Sequence, residues 1–325
     1  MRGWLLSAML CATAAIVGCS SADKPTPEAH VTDVNGLRFV QASELDATRP
    51  LALGARVGLE HHAWLTDDTD RRVARVLSAY EAEPVGIDGA ARARLRRSGF
   101  RVVAVPIEQV MEMHQALPPK LTWRREWAGQ LTGWAEVLRG RSVTAGQRLI
   151  VDGREVIMPA GTPRFVARAW AAPTSDGAVL RTEVGVQVDE AARRDPARAV
   201  FDPRAALTLP AQGRLLDGAS FEADLRPTHA LIIVGAPEAE DWSRVQAEAA
   251  HDSGDDVAPV RESETPAYQV LSSESVIDAD VFGPAIDGPQ ELGVYMLGGL
   301  DRSYRPMKAI LVLIPRVPDE YRVLP

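Results

Sequence analysis

The apolar positions of this chain change period from one stretch to the next, and each change marks a different kind of segment. Trp4 to Val17 is an apolar stretch, interrupted only by Ser7 and Thr13, behind Met1 and Arg2, too short to span a bilayer. Between Leu37 and about Pro118, extended and helical spacings alternate. Leu51, Leu53, Val57 and Leu59 suggest extended segments, and Val73, Val76, Leu77 and Tyr80 share one face of a helix that starts near Thr66. Asp67, Asp68 and Asp70 suit the positive end of that helix dipole. Asp88 is placed to cap a second helix over 90–98, with Gly99 as its stop, and residues 100–105 form a β-branched run typical of a strand. Pro106 opens a third helix with Ile107, Val110, Met111 and His114 on one stripe, ended by Pro118 and Pro119.

From Leu121 to Arg141 the signals conflict. Trp123, Trp127, Leu131, Trp134 and Leu138 keep helical spacing, while Gly129 and Gly133 oppose it at a cost of about 1 kcal/mol each. From Gly146 the period becomes two. Residues 148–151 and 154–158 flank Asp152-Gly153, the dipeptide a type I′ hairpin turn favours. Residues 164–170 and 179–188 form a second pair, in which Val184, Val186 and Val188 define one buried face. Further strands are predicted at 206–209, 220–225, 230–234, 269–271, 292–297 and 308–314. Asp217-Gly218 and Asp287-Gly288 read as turns, one helix is expected over 237–250, and 251–266 reads as an acidic loop.

The pattern predicts an α+β fold: a small α/β module followed by a mainly antiparallel, sandwich-like β body. The segments are a leader at 1–18, a polar, proline-containing tether at 19–36, the module at 37–118 and the β-rich domain at 119–325.

Composition narrows the function. Hydrophobic residues make up 46% of the 325, enough for a real core, and the net charge of -8 disfavours a nucleic-acid partner. Lysine occurs only at Lys24, Lys120 and Lys308, a scarcity that reads as genome bias. Ile16-Val17-Gly18-Cys19 resembles the lipobox of bacterial lipoproteins, which implies cleavage before Cys19 and fatty acylation there. Ser20 stands where an Asp would resemble an inner-membrane retention signal, so the outer membrane is slightly favoured over the inner. With Cys11 in the leader and Cys19 lipidated, no thiol remains for a disulfide, a metal or a nucleophile.

Candidate chemistry is sparse. His61 and His62 lie near the acids 67–70, but neighbouring strand residues point to opposite faces, so exposed loop positions and a helix cap explain them better than a metal. The run from Asp278 imitates a calcium loop but carries Phe282 and Pro289 at ligand positions. Ser21-Ala22-Asp23-Lys24 matches a penicillin-binding motif by spacing alone, and its companion motifs are missing. Arg92, Arg94, Arg96 and Arg97 form a basic cluster that could touch lipid phosphates or an anionic glycan, though a solvated helix face is the ordinary reading. Trp123, Trp127 and Trp134 are the candidate ligand-binding residues, as a sugar platform set against a buried aromatic seam.

Residues 221–236, with the run Leu-Arg-Pro-Thr-His-Ala-Leu-Ile-Ile-Val-Gly, and residues 310–317, with Ile-Pro-Arg-Val, resemble late strands of bacterial secretins. An acidic helix and loop separate the two runs here, and no functional residue carries over. No cofactor is implied. The reading that follows is a lipid-anchored envelope protein with a non-catalytic, protein-binding or assembly role. Its partners are membrane lipid through Cys19 and other envelope proteins. Glycan or small-ligand binding is the alternative, and a hydrolase built on scattered carboxylates comes behind it.

Overall fold

Alternation along β3 (Gly58–Asp67) divides the molecule into layers. Leu59, Ala63 and Leu65 enter one apolar core while Trp64 enters another, because successive strand side chains point to opposite faces. A computed structural model describes residues 57–82, 86–174, 177–189, 213–252 and 289–317, together with a two-residue ladder between β1 (Asp33–Val34) and β2 (Leu37–Arg38).

After β3 come α1 (Arg72–Leu77), α2 (Gly89–Arg97), β4 (Phe100–Pro106) and α3 (Val110–Ala116). Then β5 (Pro119–Gly129), β6 (Leu131–Arg139), β7 (Arg148–Val151), β8 (Arg154–Ile157), β9 (Thr162–Thr174), β10 (Gly177–Asp189), β11 (Gly213–Leu225) and β12 (His229–Gly235) follow. The chain continues through α4 (Trp242–Asp252), β13 (Gln290–Glu291), α5 (Leu292–Leu297), β14 (Gly298–Leu300) and β15 (Pro306–Arg316).

A six-stranded sheet runs β4-β12-β15-β3-β5 with β14 beside β15, and a four-stranded sheet runs β11-β10-β9-β6. Both are antiparallel throughout. One core lies between these sheets, where Leu231, Ile233, Leu311 and Leu313 meet Phe165, Leu180, Val184 and Val186; α2 and α5 seal it with Leu95 and Met296. The other lies under α1, α3 and α4, where Ile232, Val234, Ile310 and Val312 meet Val73, Leu77, Met113 and Trp242. Helix, sheet and sheet thus stack as three layers, and the fold is α+β with a β-sandwich-like body.

Local chemistry explains the expected elements. The Asp88 carboxylate accepts from the amides of Ala90 and Ala91, both at 3.1 Å, and starts α2. Asp152 (φ 52°) and Gly153 (φ 71°) turn β7 into β8. Pro106 stands just before a turn of 3-10 helix that leads into α3.

Other expectations change. Over 121–141, where the sequence leaves helix and strand open, the chain is strand through most of its length as β5 and β6, which belong to different sheets. The chain switches sheets at Gly129 (φ 66°), beside Gly58, where a β carbon would come within 2.1 Å of the Gly129 carbonyl carbon. Residues 292–297 form a helix instead of a strand; they are apolar nearly all round, so length and period could not decide between the two. Gly293 lets this helix touch backbone, since a β carbon there would sit 2.2 Å from the Gly99 carbonyl oxygen. Asp217-Gly218 makes no hairpin. It falls inside β11, where the register against β10 slips between Gly185 and Val186, a β-bulge.

The boundary expected at 118 does not divide the sheet. β3 and β4 hydrogen-bond to β15 and β12, so strands from both sides of position 118 share one sheet. The two secretin-like runs fall on β11–β12 and on β15, and β12 and β15 are antiparallel neighbours. The expected strands at 206–209 and 269–271, the Asp287-Gly288 turn, the calcium-like run before Pro289, the leader and nearly all of the acidic loop lie outside the described residues. Among the described residues, no helix is long and apolar enough to cross a membrane.

Candidate functional site

The row Ile310, Val312, Ile314 on the helix-facing side of β15 begins with an amine, Lys308. Its side chain is 13% exposed, and its Nζ lies 3.0 Å from Asp68 Oδ2 and 3.8 Å from Glu240 Oε2. These three groups form the floor of a cleft of about 880 Å³, within the roughly 300–1,000 Å³ range of small-molecule sites.

The cleft forms where the segments after β3 and β12 flank the start of β15. The Asp68 amide donates to the Pro306 carbonyl at 2.8 Å, which closes the β3–β15 pair. The Asp68 Oδ1 accepts from the Val73 amide at 2.9 Å, so one carboxylate both starts α1 and holds Lys308. Between these anchors, Asp70 (φ 56°) and Arg71 (φ 54°) are consecutive non-glycine residues in the left-handed region, a conformation that costs of order 1 kcal/mol or more per residue and gathers at functional sites.

On the opposite wall, the Asp241 Oδ1 accepts from the Ser243 amide at 3.0 Å at the start of α4. Arg101 donates to the Glu240 carbonyl and fixes that loop from behind. The Glu240 Oε2 is buried and accepts no hydrogen bond, with Lys308 near it at 3.8 Å. Asp70 and Asp241 add carboxylates to the lining, and Arg71, Arg141 and Arg244 add guanidiniums, so the two signs balance. Gly298, Gly299, Leu300 and Met307 supply a small apolar side.

A second polar cluster lies at the other end of β3. Glu60 Oε1 accepts from His62 Nε2 at 2.8 Å and from Arg125 Nε at 2.5 Å, and its Oε2 accepts from Arg316 Nε at 2.8 Å. Burial alone would raise this carboxyl, but the bonds from His62, Arg316 and Arg125 outweigh it and hold the pKa at about 2. His61 points to the opposite face, where burial pushes its pKa down to about 4 against the attraction of Glu126. Both histidines are buried, not exposed as expected, because they sit in the middle of a strand with neighbours on both sides. Among the described residues, no three His, Cys, Asp or Glu side chains gather to hold a metal.

The tryptophan candidates separate. Trp127 lies on β5 and is 44% exposed. Trp134 lies on β6 of the other sheet, and its ring is 5.3 Å from the guanidinium of Arg168, which also stacks on Trp170 and pairs with Glu183. Trp123 is opposite Trp64 in the β3–β5 register. Trp127 on β5 and Trp134 on β6 thus belong to different sheets, so the three tryptophans do not come from one strand face. Asp68 and Asp70 stand out in the sequence only as helix-dipole acids, and the rest of the cleft lining is not marked there because it converges from distant segments. The available signal was Lys308, a rare lysine at the head of an apolar strand.

No known protein family, curated protein or solved structure matches the chain.

Proposed function

We propose that this protein is a lipid-anchored envelope lipoprotein, acylated at Cys19, whose folded body binds a small polar ligand carrying both signs of charge. Of the readings open from the sequence, small-ligand binding has the stronger support. The carrying observation is the cleft floor, where a buried Glu240 oxygen without a hydrogen bond faces Lys308. A buried acceptor left without a donor is costly. An ammonium or N–H group on a ligand satisfies it, and the guanidiniums on the walls then receive the anionic end. A short peptide or an amino acid has this chemistry.

Two measurements test the reading. A thermal-shift panel of amino acids, dipeptides and amino sugars is expected to contain a compound that raises the wild-type Tm, with the shift lost in Glu240→Gln. A panel without any shift would remove the ligand-binding role. Palmitate labelling is expected to depend on Cys19, and Cys19→Ala is expected to leave the membrane fraction; label that persists in Cys19→Ala would remove the anchor.

A further inference from the structure

A smaller recess of about 260 Å³ opens between α2 and β4, an edge strand of the six-stranded sheet among the described residues. On the α2 side it is lined by Gly89, Arg92, Ala93 and Arg96, positions at i, i+3, i+4 and i+7 that share one helix face. Arg101 and Trp242 line the other side. We propose that this recess binds a single oxyanion of the phosphate class, held by Arg92, Arg96 and Arg101.

The volume is below the roughly 300–1,000 Å³ of organic-ligand sites, which suits one anionic group rather than a whole small molecule. Among the lining residues three guanidiniums meet one carboxylate, Glu81, while Glu240 acts on Arg101 and Asp241 on Arg96 from outside the lining, on a chain whose net charge is -8. Arg101 is 5% exposed. One of its terminal nitrogens donates to Glu81 Oε1 at 2.8 Å and the other to the Glu240 carbonyl, while its ring-stacking partner Trp242 lies 5.3 Å away. Its buried Nε–H has no acceptor. Arg92 donates to the Glu81 carbonyl at 2.7 Å, which pins the rim. Burial first, and the charge of Arg96 next, disfavour the Arg101 cation; an anion between them reverses the second effect and supplies the missing acceptor. A tetrahedral oxyanion presents acceptors to donors converging from α2 and β4, whereas a planar carboxylate accepts in one plane. The site uses half of the basic cluster evident in the sequence, because Arg97 is committed to Asp152 at 2.6 Å and Arg94 is not part of the lining.

The test is calorimetric titration of the full-length protein with inorganic phosphate and with glycerophosphoglycerol, a soluble lipid-headgroup analogue, against chloride at matched ionic strength. Saturable binding is expected in wild type and in Arg94→Glu, and about tenfold weaker binding in Arg96→Glu, with Arg96→Ala between them. Arg96 is exposed, so both variants are expected to keep the wild-type circular dichroism. Tighter binding of inorganic phosphate identifies a free ion as the source, and tighter binding of the diester identifies a lipid headgroup. Absence of binding beyond chloride, or binding unchanged in Arg96→Glu, overturns the proposal. The cleft reading stands or falls separately, since its test uses zwitterions and Glu240→Gln.

Discussion

Glu60 and Glu240 are both buried carboxylates beside β15, near its opposite ends, yet their surroundings differ in kind. Glu60 has donors on both oxygens, from His62, Arg125 and Arg316. Glu240 has a buried oxygen without a hydrogen bond and a lysine at 3.8 Å. A saturated carboxylate has nothing left to offer a ligand, and its role is to join strands: Glu60 ties β3 to β5 and to the end of β15. An undersatisfied one is held in place by its neighbours and keeps capacity for something else.

Substitution of the two residues is expected to split along this line, and it carries the largest effect. Glu60→Gln removes a buried carboxylate from two guanidiniums, Arg125 and Arg316, that are 60% and 40% exposed, and with that solvent screening is expected to lower unfolding free energy by about 2 kcal/mol. Glu240→Gln is expected to change it by less than about 1 kcal/mol, because no hydrogen bond to the altered oxygen is lost. Urea denaturation of both variants measures the difference. Equal losses would erase the distinction.

Acid titration separates the same cluster into phases. For His61 the folded pKa of about 4 lies below its usual 6.5, so the unfolded chain takes up the proton first. Its neutral form therefore supports the fold fully above pH 6.5, and that support is lost as pH falls towards 4. His62 and His114 are shifted downward by burial as well and act with the same sign. For Glu60 the folded pKa of about 2 lies below its usual 4.5, so its contribution is present above 4.5 and is lost as pH falls towards 2. Stability is expected to fall in two successive windows. His61→Leu is expected to flatten the upper window by about 2 kcal/mol and leave the lower one unchanged. Neither His61 ring nitrogen has a hydrogen bond, so this variant is also expected to be no less stable than wild type at pH 7.

The contrast also explains what was legible in the sequence. Elements governed by neighbouring residues were readable: the Asp88 cap, the Asp152-Gly153 turn, and the Val184, Val186, Val188 alternation each carry their own local cause. Residues 121–141 were not, since Trp123, Trp127 and Trp134 keep helical spacing while Gly129 and Gly133 oppose a helix. The choice was made by pairing with β3 and β9. Asp217-Gly218 has turn chemistry, but long β10 supplies a partner on both sides of it, so the dipeptide became a bulge. The cleft was least legible of all. Asp68, Glu240 and Lys308 are brought together only by the order of strands β3, β15 and β12, and no local pattern encodes that order. Burial of His61 and His62 escaped notice for the same reason, because it depends on β5 and β15 covering a strand that looked like a loop in isolation.

The smallest expected effect concerns the strained wall of the cleft. If Asp70 and Arg71 occupy left-handed backbone only to shape the site, relief of that strain separates stability from binding. Arg71→Gly removes the β-carbon clash at φ 54° but also loosens the unfolded chain, so the net gain is expected to be about 0.5 kcal/mol. The same change deletes a lining guanidinium and is expected to weaken a ligand found through Glu240 by several-fold. Arg71→Lys keeps the charge and the strain, and is expected to retain most of the binding without the stability gain. Thermal melts with and without that ligand distinguish the two variants. A stabilised Arg71→Gly that binds as wild type would assign the strain to the β3–α1 connection alone.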